Sequence, residues 1–250
     1  MEDIKSYVEL MKNALKEKLF FLDYINLNDY DNIVDFGCAN GALLQNIYVE
    51  NNAKFIGYDH NSTMINFAKK EQNSLQKNLY FTSNFDEIND LKGKSLIILS
   101  SVLHENEKNH VAFSSTLSLL EKFDTIVIRD MYFDEKLNKS ISSFDRQILK
   151  DKIKPYIFNE FEEKYGKITT LKQYYHLLLK YDYEKNWANE ILEDYFSFDF
   201  NRLISTLLNE NYEIKLFSHE ILKFKKDKVE NELKIDYNMP THLKLILKRK

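Results

Sequence analysis

A glycine-containing turn and a carboxylate that follows it are the residues best suited to hold a ligand. The segment DFGCANG places Gly37 and Gly41 directly after a short apolar run, and Asp59 ends the next apolar run, KFIGYD. Glycine lets the backbone turn sharply, and the free N–H groups at the start of a following helix can face a ligand. A carboxylate about 20 residues beyond such a turn can accept hydrogen bonds from both hydroxyls of a ribose. The spacing therefore predicts a site for a nucleoside-containing cofactor.

The turn departs from two other glycine-rich motifs that bind nucleotides. The dinucleotide fingerprint G-x-G-x-x-G has its middle glycine where this chain has Ala39, and Gly41 follows Gly37 by four residues, a spacing that the fingerprint does not have. A Walker loop would continue with lysine and then serine or threonine, and the chain continues with alanine and leucine. A dehydrogenase therefore stays only as a lesser alternative, which saturable binding of NAD would favour.

Alternating strand-like and helix-like segments would position these residues. Strands are predicted at 32–37, 54–59, 79–84, 95–101, 124–130, 212–222 and 242–248, and the helices include 62–76, 107–122 and 199–210. The early strands are apolar almost throughout, which indicates a parallel sheet with helices on both faces. The sequence thus predicts an α/β protein with a doubly wound sheet, preceded by an amphipathic helix over 4–22. The segment between the last two strands is predicted to be a charged connector.

The alternation stops between residues 134 and 195, where the pattern is helical and rich in aromatic residues. We expect 1–133 to form the cofactor-binding half of the domain, 134–195 a helical cap inserted into it, and 196–250 the remainder. The aromatic and histidine side chains in the insertion are expected mainly to build its core, although some could line a pocket: Tyr156, Tyr174, Tyr175, His176, Tyr181 and Trp187.

The turn resembles motif I of class I S-adenosylmethionine-dependent methyltransferases, a Rossmann-like superfamily. In that motif an acidic residue ends strand one and a D/E-x-G-x-G/A-x-G turn follows, which Asp35, Gly37, Ala39 and Gly41 match. The segment YDHNSTMI resembles the family's acidic motif, and SLIILSSVLHE resembles its fourth-strand motif. The resemblance covers residues 30–133 and implies a seven-stranded, mostly parallel sheet whose terminal strand is reversed.

The resemblance also implies how S-adenosylmethionine would be held and S-adenosylhomocysteine released. Asp59 would bind the ribose, His60 and Met64 would border the adenine, and Ser100 would face the methionine end. The residues expected to bind the cofactor are Asp35, Gly37, Cys38, Ala39, Gly41, Asp59, His60, Met64, Asn84, Phe85 and Ser100. Cys38 is expected to pack within the turn and not to act as a nucleophile.

The candidate catalytic residues follow strands four and five, because ligands bind at the carboxyl ends of the strands in such sheets. Methyl transfer is an in-line displacement in which the protein aligns the acceptor, excludes water and sometimes removes a proton. His104 could take that proton while Glu105 orients it, and Arg129 could hold an acidic group of the acceptor. The alternatives are a His104 that is hydrogen-bonded within the protein and an Arg129 that forms an internal ion pair.

Composition limits the partners and the compartment. The net charge of −4 gives no basic field to attract nucleic acid, so we expect a small-molecule acceptor and no nucleic acid. A single cysteine excludes an intramolecular disulfide and a cysteine-based zinc site, and we expect no metal. The first residues do not resemble a secretory signal, and no stretch reaches the roughly 18 apolar residues that a membrane span requires. A cytoplasmic protein is expected, with its oligomeric state open.

The leading hypothesis is an enzyme that transfers a methyl group from S-adenosylmethionine to an oxygen or nitrogen of a small molecule under the 134–195 cap. One alternative keeps the cofactor but makes RNA or protein the acceptor, and tight, salt-sensitive RNA binding would favour it. Another is a non-catalytic module that binds a nucleoside or a protein partner, because a fold alone does not establish activity.

Overall fold

The computed structural model describes residue 15, residues 17–105 and residues 110–250. Most of the helix predicted over 4–22 therefore lies outside the described residues, as do the first residues of the helix predicted over 107–122. The chain divides into two compact units. The first contains the described parts of 1–130 together with 199–218 and 244–250, and the second contains 131–198 and 219–243.

Seven strands within the described residues form one sheet. They are β1 Asn32–Phe36, β2 Lys54–Tyr58, β3 Leu79–Thr82, β4 Ser95–Ser100, β5 Thr125–Met131, β6 Tyr212–Glu220 and β7 His242–Arg249. Their order is β3-β2-β1-β4-β5-β7-β6, in which β1 to β5 pair in parallel and β7 lies antiparallel to β6. The predicted doubly wound, mostly parallel sheet with reversed terminal strands is confirmed.

Ten α-helices within the described residues accompany the sheet. They are α1 Ala42–Ile47, α2 Ser62–Glu71, α3 Asp86–Asn89, α4 His110–Leu120, α5 Ser143–Lys152, α6 Pro155–Tyr165, α7 Leu171–Lys180, α8 Trp187–Glu190, α9 Phe200–Asn209 and α10 Lys223–Leu233. No helix in this described part of the chain is long and apolar enough to cross a bilayer. A short 3-10 helix, Leu103–Glu105, follows β4.

The core of the first unit explains why its strands are apolar throughout. All six residues of β4 and all but the last of β5 are buried, as expected for central strands with side chains packed on both faces. Phe21, Leu44 and Phe55 are fully buried in the same core, which therefore also includes the short segment before β1.

The second unit has a separate apolar core built largely from aromatic side chains. Tyr174, Tyr175, Tyr181 and Trp187 are buried in this core, and His176 is also buried, whereas Tyr156 is exposed. The buried side chains lie where the core interpretation of the sequence puts them, whereas Tyr156 does not. The unit is larger than the insertion predicted over 134–195, because it also contains 219–243.

The prediction of a charged connector before the last strand is wrong, because Lys223–Leu233 forms the helix α10. Its buried positions are Lys225, Val229 and Leu233, which lie on one face because they recur every four residues. Lys225 can be buried because its ammonium group lies 2.5 Å from Asp182 Oδ1. A lysine is counted as a surface residue in a sequence pattern. At a core position it therefore interrupts the apolar repeat that would predict a helix.

Candidate active site

The turn after β1 is built from residues with left-handed backbone. The φ angles are +78° at Gly37, +46° at Ala39 and +73° at Gly41. A Cβ atom at Gly41 would overlap the ring of Phe81, so glycine is required there for space as well as for conformation. The turn is fixed to the end of β2, because the N–H groups of Gly37 and Cys38 both donate to the carbonyl oxygen of Tyr58, at 2.8 and 2.9 Å.

Asp59 joins this turn to the start of α2. Its Oδ2 accepts a hydrogen bond from the backbone N–H of Ala39 at 2.8 Å, and its Oδ1 accepts one from the N–H of Asn61 at 2.8 Å. Asn61 in turn caps α2 by accepting from the N–H groups of Thr63 and Met64. Each carboxylate oxygen has two lone pairs, so Asp59 can still accept a hydrogen bond at both oxygens.

A cavity of about 420 Å³ opens beside the turn, within the size range of sites for small molecules and cofactors. Of the predicted site residues, those that line it are Asp35, Gly37, Cys38, Ala39, Asp59, His60, Ser100 and Glu105. Gly41 belongs to the turn but does not line the cavity. The remaining lining residues were not predicted from the sequence and include Leu15, Lys18, Phe36, Asn40, Tyr58 and Val102.

Ser100 presents a buried hydroxyl at this cavity. The residue is 8% exposed, and its Oγ is among the few buried side-chain polar atoms of the described residues that have no hydrogen-bond partner. A buried hydroxyl without a partner is costly, typically by about 1–3 kcal/mol, and a polar group bound in the cavity would offset that cost.

The floor of the cavity holds opposite charges whose ionisation is disturbed by burial. Burial raises the pKa of Asp35 to about 7, against the nearby ammonium group of Lys18 and with the support of the Asp59 charge. Burial and then the charge of Arg129 lower the pKa of Lys18 to about 8, against Asp35 and Asp130. Within the described residues no group of histidine, cysteine, aspartate or glutamate side chains could hold a metal ion.

Cys38 has the environment of a packing residue. It is 5% exposed, and burial together with the charges of Asp35 and Asp59 raises the pKa of its thiol. A protonated thiol is a poor nucleophile. This environment agrees with the expectation that Cys38 packs within the turn.

His104 faces the interior rather than the cavity. It is 5% exposed and does not line the cavity, and its Nδ1 lies 2.6 Å from Asp130 Oδ1. The other oxygen of Asp130 accepts from the N–H groups of Val102 and Leu103, at 3.0 and 2.7 Å. The pair therefore fastens the segment after β4 to the end of β5, which matches the alternative of a histidine bonded within the protein. Its neighbour Glu105 does line the cavity.

Arg129 also does not line the cavity and is 3% exposed. Its Nη2 lies 3.0 Å from Glu17 Oε2, and its Nη1 donates to Ser101 Oγ at 3.3 Å. This is the internal ion pair that the sequence left open as the alternative to acceptor binding.

Three residues expected at the adenine end do not line the cavity: Met64, Asn84 and Phe85. Asn84 uses its side-chain oxygen to accept from the N–H of Asp86 at the start of α3. Phe85 is 40% exposed and lies edge-on to the ring of Tyr58, with ring centroids 5.8 Å apart. Phe85 thus contacts a wall residue of the cavity from outside.

The family model described as "Methyltransferase domain" matches residues 27–182, well over half of the chain. No curated protein sequence matches the chain significantly. Among solved structures the chain is similar to magnesium protoporphyrin IX methyltransferase from Synechocystis with bound SAH, at 15% identity and a TM-score of 0.53, covering 97% of this chain and 84% of that one.

Two further structures are similar. A SAM-dependent methyltransferase from Anabaena variabilis is 14% identical, with a TM-score of 0.53 and coverage of 96% of this chain and 85% of that one. PKMT2 from Rickettsia typhi, in complex with AdoHcy, is 14% identical, with a TM-score of 0.54 and coverage of 90% of this chain and 49% of that one. At such identities these likenesses show the fold.

Proposed function

Because the chain belongs to the methyltransferase domain family, we propose that its cavity binds S-adenosylmethionine and that the protein transfers the methyl group to an oxygen or nitrogen of a small molecule. One observation carries the proposal. The hydrogen bond between the Ala39 N–H and Asp59 Oδ2 brings the glycine turn and a ribose-binding carboxylate to the same cavity.

The cavity fits this cofactor in three respects. The turn exposes backbone at Gly37, where a Cβ atom would overlap Val102 and so could not be accommodated. Asp59 keeps a lone pair on each oxygen, as two ribose hydroxyls require. Ser100 Oγ is buried without a partner and can bond to a polar group of the methionine part.

When bound, S-adenosylmethionine supplies a methyl group on a sulfonium sulfur, which leaves as a neutral thioether when the methyl carbon is attacked in line. The protein then contributes mainly by positioning the cofactor and the acceptor and by excluding water. Asp59 and the turn would fix the nucleoside, and Asp35 and Ser100 would hold the methionine part. Glu105, on the cavity wall, is better placed than His104 to orient the acceptor or to take its proton, because His104 is turned toward Asp130.

The charge of the cavity supports a small acceptor over a nucleic acid. Three carboxylate side chains line it, from Asp35, Asp59 and Glu105, and the whole chain has a net charge of −4. Such a surface attracts a sulfonium cation and repels a phosphate backbone. The expectation that residues 134–195 close over the acceptor stays a prediction.

The test is transfer of label from [methyl-³H]S-adenosylmethionine into a cell extract that has been separated into small-molecule, RNA and protein fractions. We expect time-dependent label in the small-molecule fraction only, and at least a tenfold lower rate with the Asp59→Ala variant. Label in RNA or protein would overturn the acceptor class. Failure of the wild-type protein to bind S-adenosylmethionine would overturn the proposal as a whole.

A further inference from the structure

Lys18 is a cationic residue of the cavity that the sequence pattern did not reveal. We propose that Lys18 binds the carboxylate of the methionine part of S-adenosylmethionine, and that the ion pair between Glu17 and Arg129 holds it in place. The assignment rests on the proposed function. It gives Lys18 a binding role and gives Glu17 and Arg129 a positioning role.

Lys18 reaches the cavity from the segment that precedes β1. Leu15 and Lys18 both line the cavity. The carboxylate of Glu17, between them, lies 3.0 Å from the guanidinium of Arg129, whose side chain is only 4% exposed. Phe21, four residues after Glu17, is fully buried in the core of the first unit. The segment is therefore anchored on both sides of Lys18.

The charges of the cavity and of the cofactor complement each other only if Lys18 takes part. The methionine part carries a sulfonium, an ammonium and one carboxylate. The carboxyl group of Asp35, which is assigned to the methionine part, suits its cationic groups. Among the described residues that line the cavity, Lys18 is the one lysine, and no arginine is present. A carboxylate that loses water needs a charged or N–H donor, and Lys18 is the lysine of the cavity wall that can donate to it.

The charges around Lys18 are compatible with a bound carboxylate. Lys18 interacts electrostatically with Arg129, which disfavours its ammonium form, and with Asp35 and Asp130, which favour that form. Burial lowers its pKa to about 8, so the side chain still carries a proton at neutral pH. A ligand carboxylate would raise that pKa again and so bind with a favourable charge interaction.

The assignment also explains why Arg129 is buried behind the cavity. An arginine that held an acidic acceptor would have to face the cavity, whereas Arg129 spans from Ser101, after β4, to Glu17. It thus connects one cavity wall to the segment that carries Lys18.

Calorimetric titration with S-adenosylmethionine and with decarboxylated S-adenosylmethionine, which lacks only the carboxylate, tests the proposal. The variants are Lys18→Met, the charge-conserving Lys18→Arg and the anchor variant Glu17→Gln. We expect Lys18→Met to weaken the binding of S-adenosylmethionine at least tenfold and to change the binding of the decarboxylated compound less than twofold, because only the first loses a charge-assisted hydrogen bond. Lys18→Arg should retain part of the preference for S-adenosylmethionine over the decarboxylated compound. Glu17→Gln should reduce that preference, because Lys18 is then less well positioned.

Binding of the decarboxylated compound shows that each variant is folded at the site. If Lys18→Met weakens the binding of both compounds equally, or weakens the binding of neither, the role of Lys18 is overturned. Failure of the wild-type protein to bind either compound would instead overturn the proposed function, so the two failures can be told apart.

Discussion

Burial disfavours the charged forms of Lys18 and Asp35, and the attraction between the two opposite charges offsets part of that unfavourable effect. Desolvation disfavours the ammonium form of a lysine and the carboxylate form of an aspartate. The pKa of Lys18 falls to about 8 and that of Asp35 rises to about 7, although each charge favours the other. Both groups therefore change ionisation close to neutral pH, where binding is measured.

This electrostatic balance predicts how cofactor binding depends on pH. Lys18 faces Asp35 from β1 and Arg129 and Asp130 from β5, and its pKa is lowered. Its ammonium form is therefore present below pH 8 and is lost as the pH rises through that value. The quantity to follow is the affinity of the wild-type protein for S-adenosylhomocysteine divided by the affinity of Lys18→Met. This ratio should fall about tenfold as the pH rises from 7 to 9.

The ratio to Lys18→Met removes the titration of the ligand itself, which both proteins experience equally. Calorimetry at several pH values measures it. A ratio that is constant from pH 7 to 9 would show that Lys18 does not hold the carboxylate as a cation.

The residues that could be predicted from the sequence are those adjacent to a recognisable turn or strand end. Asp35, Gly37 and Asp59 line the cavity because motif order along the chain fixes their place at the ends of β1 and β2. Lys18 comes from a segment whose return to the cavity depends on a long-range ion pair, which no local spacing reveals. Tyr58 was missed because a strand-end aromatic looks like any other core residue.

At the scale of elements, the junction after β4 depends on one carboxylate of β5. Asp130 is fully buried and accepts from the N–H groups of Val102 and Leu103, while its other oxygen contacts His104 Nδ1. Val102 lines the cavity, so this junction sets one of its walls.

Asp130→Asn should destabilise the protein by about 3 kcal/mol. The amide oxygen can keep the two backbone N–H groups only if the NH2 group faces His104 Nδ1, and the buried negative charge beside His104 is removed. Asp199→Asn is a matched control, since Asp199 is exposed, accepts from the N–H of Arg202 as the N-cap of α9, and asparagine caps as well as aspartate. Urea unfolding of both variants measures the difference. A cost below 1 kcal/mol for Asp130→Asn would contradict the role given to this carboxylate.

Elements with regular apolar patterns were predictable, and those with buried charges were not. The strands β1, β4 and β5 are buried almost without interruption and match the predicted segments closely. The helix α10 was missed because one of its three buried positions is Lys225, paired with Asp182. A sequence pattern counts such a lysine as surface, whereas the fold places it in the core of the second unit.

At the scale of the whole molecule, the alternation of strands and helices was sufficient to predict the parallel sheet, and the resemblance to methyltransferases implied its reversed end. The resemblance to methyltransferases is confirmed by the family match over residues 27–182. The division of the chain was harder to predict, since residues 219–243 join the second unit although they are distant in sequence from 131–198. Such long-range association depends on packing between segments and leaves no local signal.

The central claim is that the cavity beside Asp59 binds S-adenosylmethionine and its product. Calorimetric titration with S-adenosylhomocysteine tests it most directly, with Asp59→Ala as the variant and the exposed Asp86→Ala as its control. We expect micromolar-range affinity for the wild-type protein and for Asp86→Ala. Asp59→Ala should bind about 100-fold more weakly, because two charge-assisted hydrogen bonds to ribose are lost. Affinity in Asp59→Ala equal to that of the wild-type protein would contradict the claim.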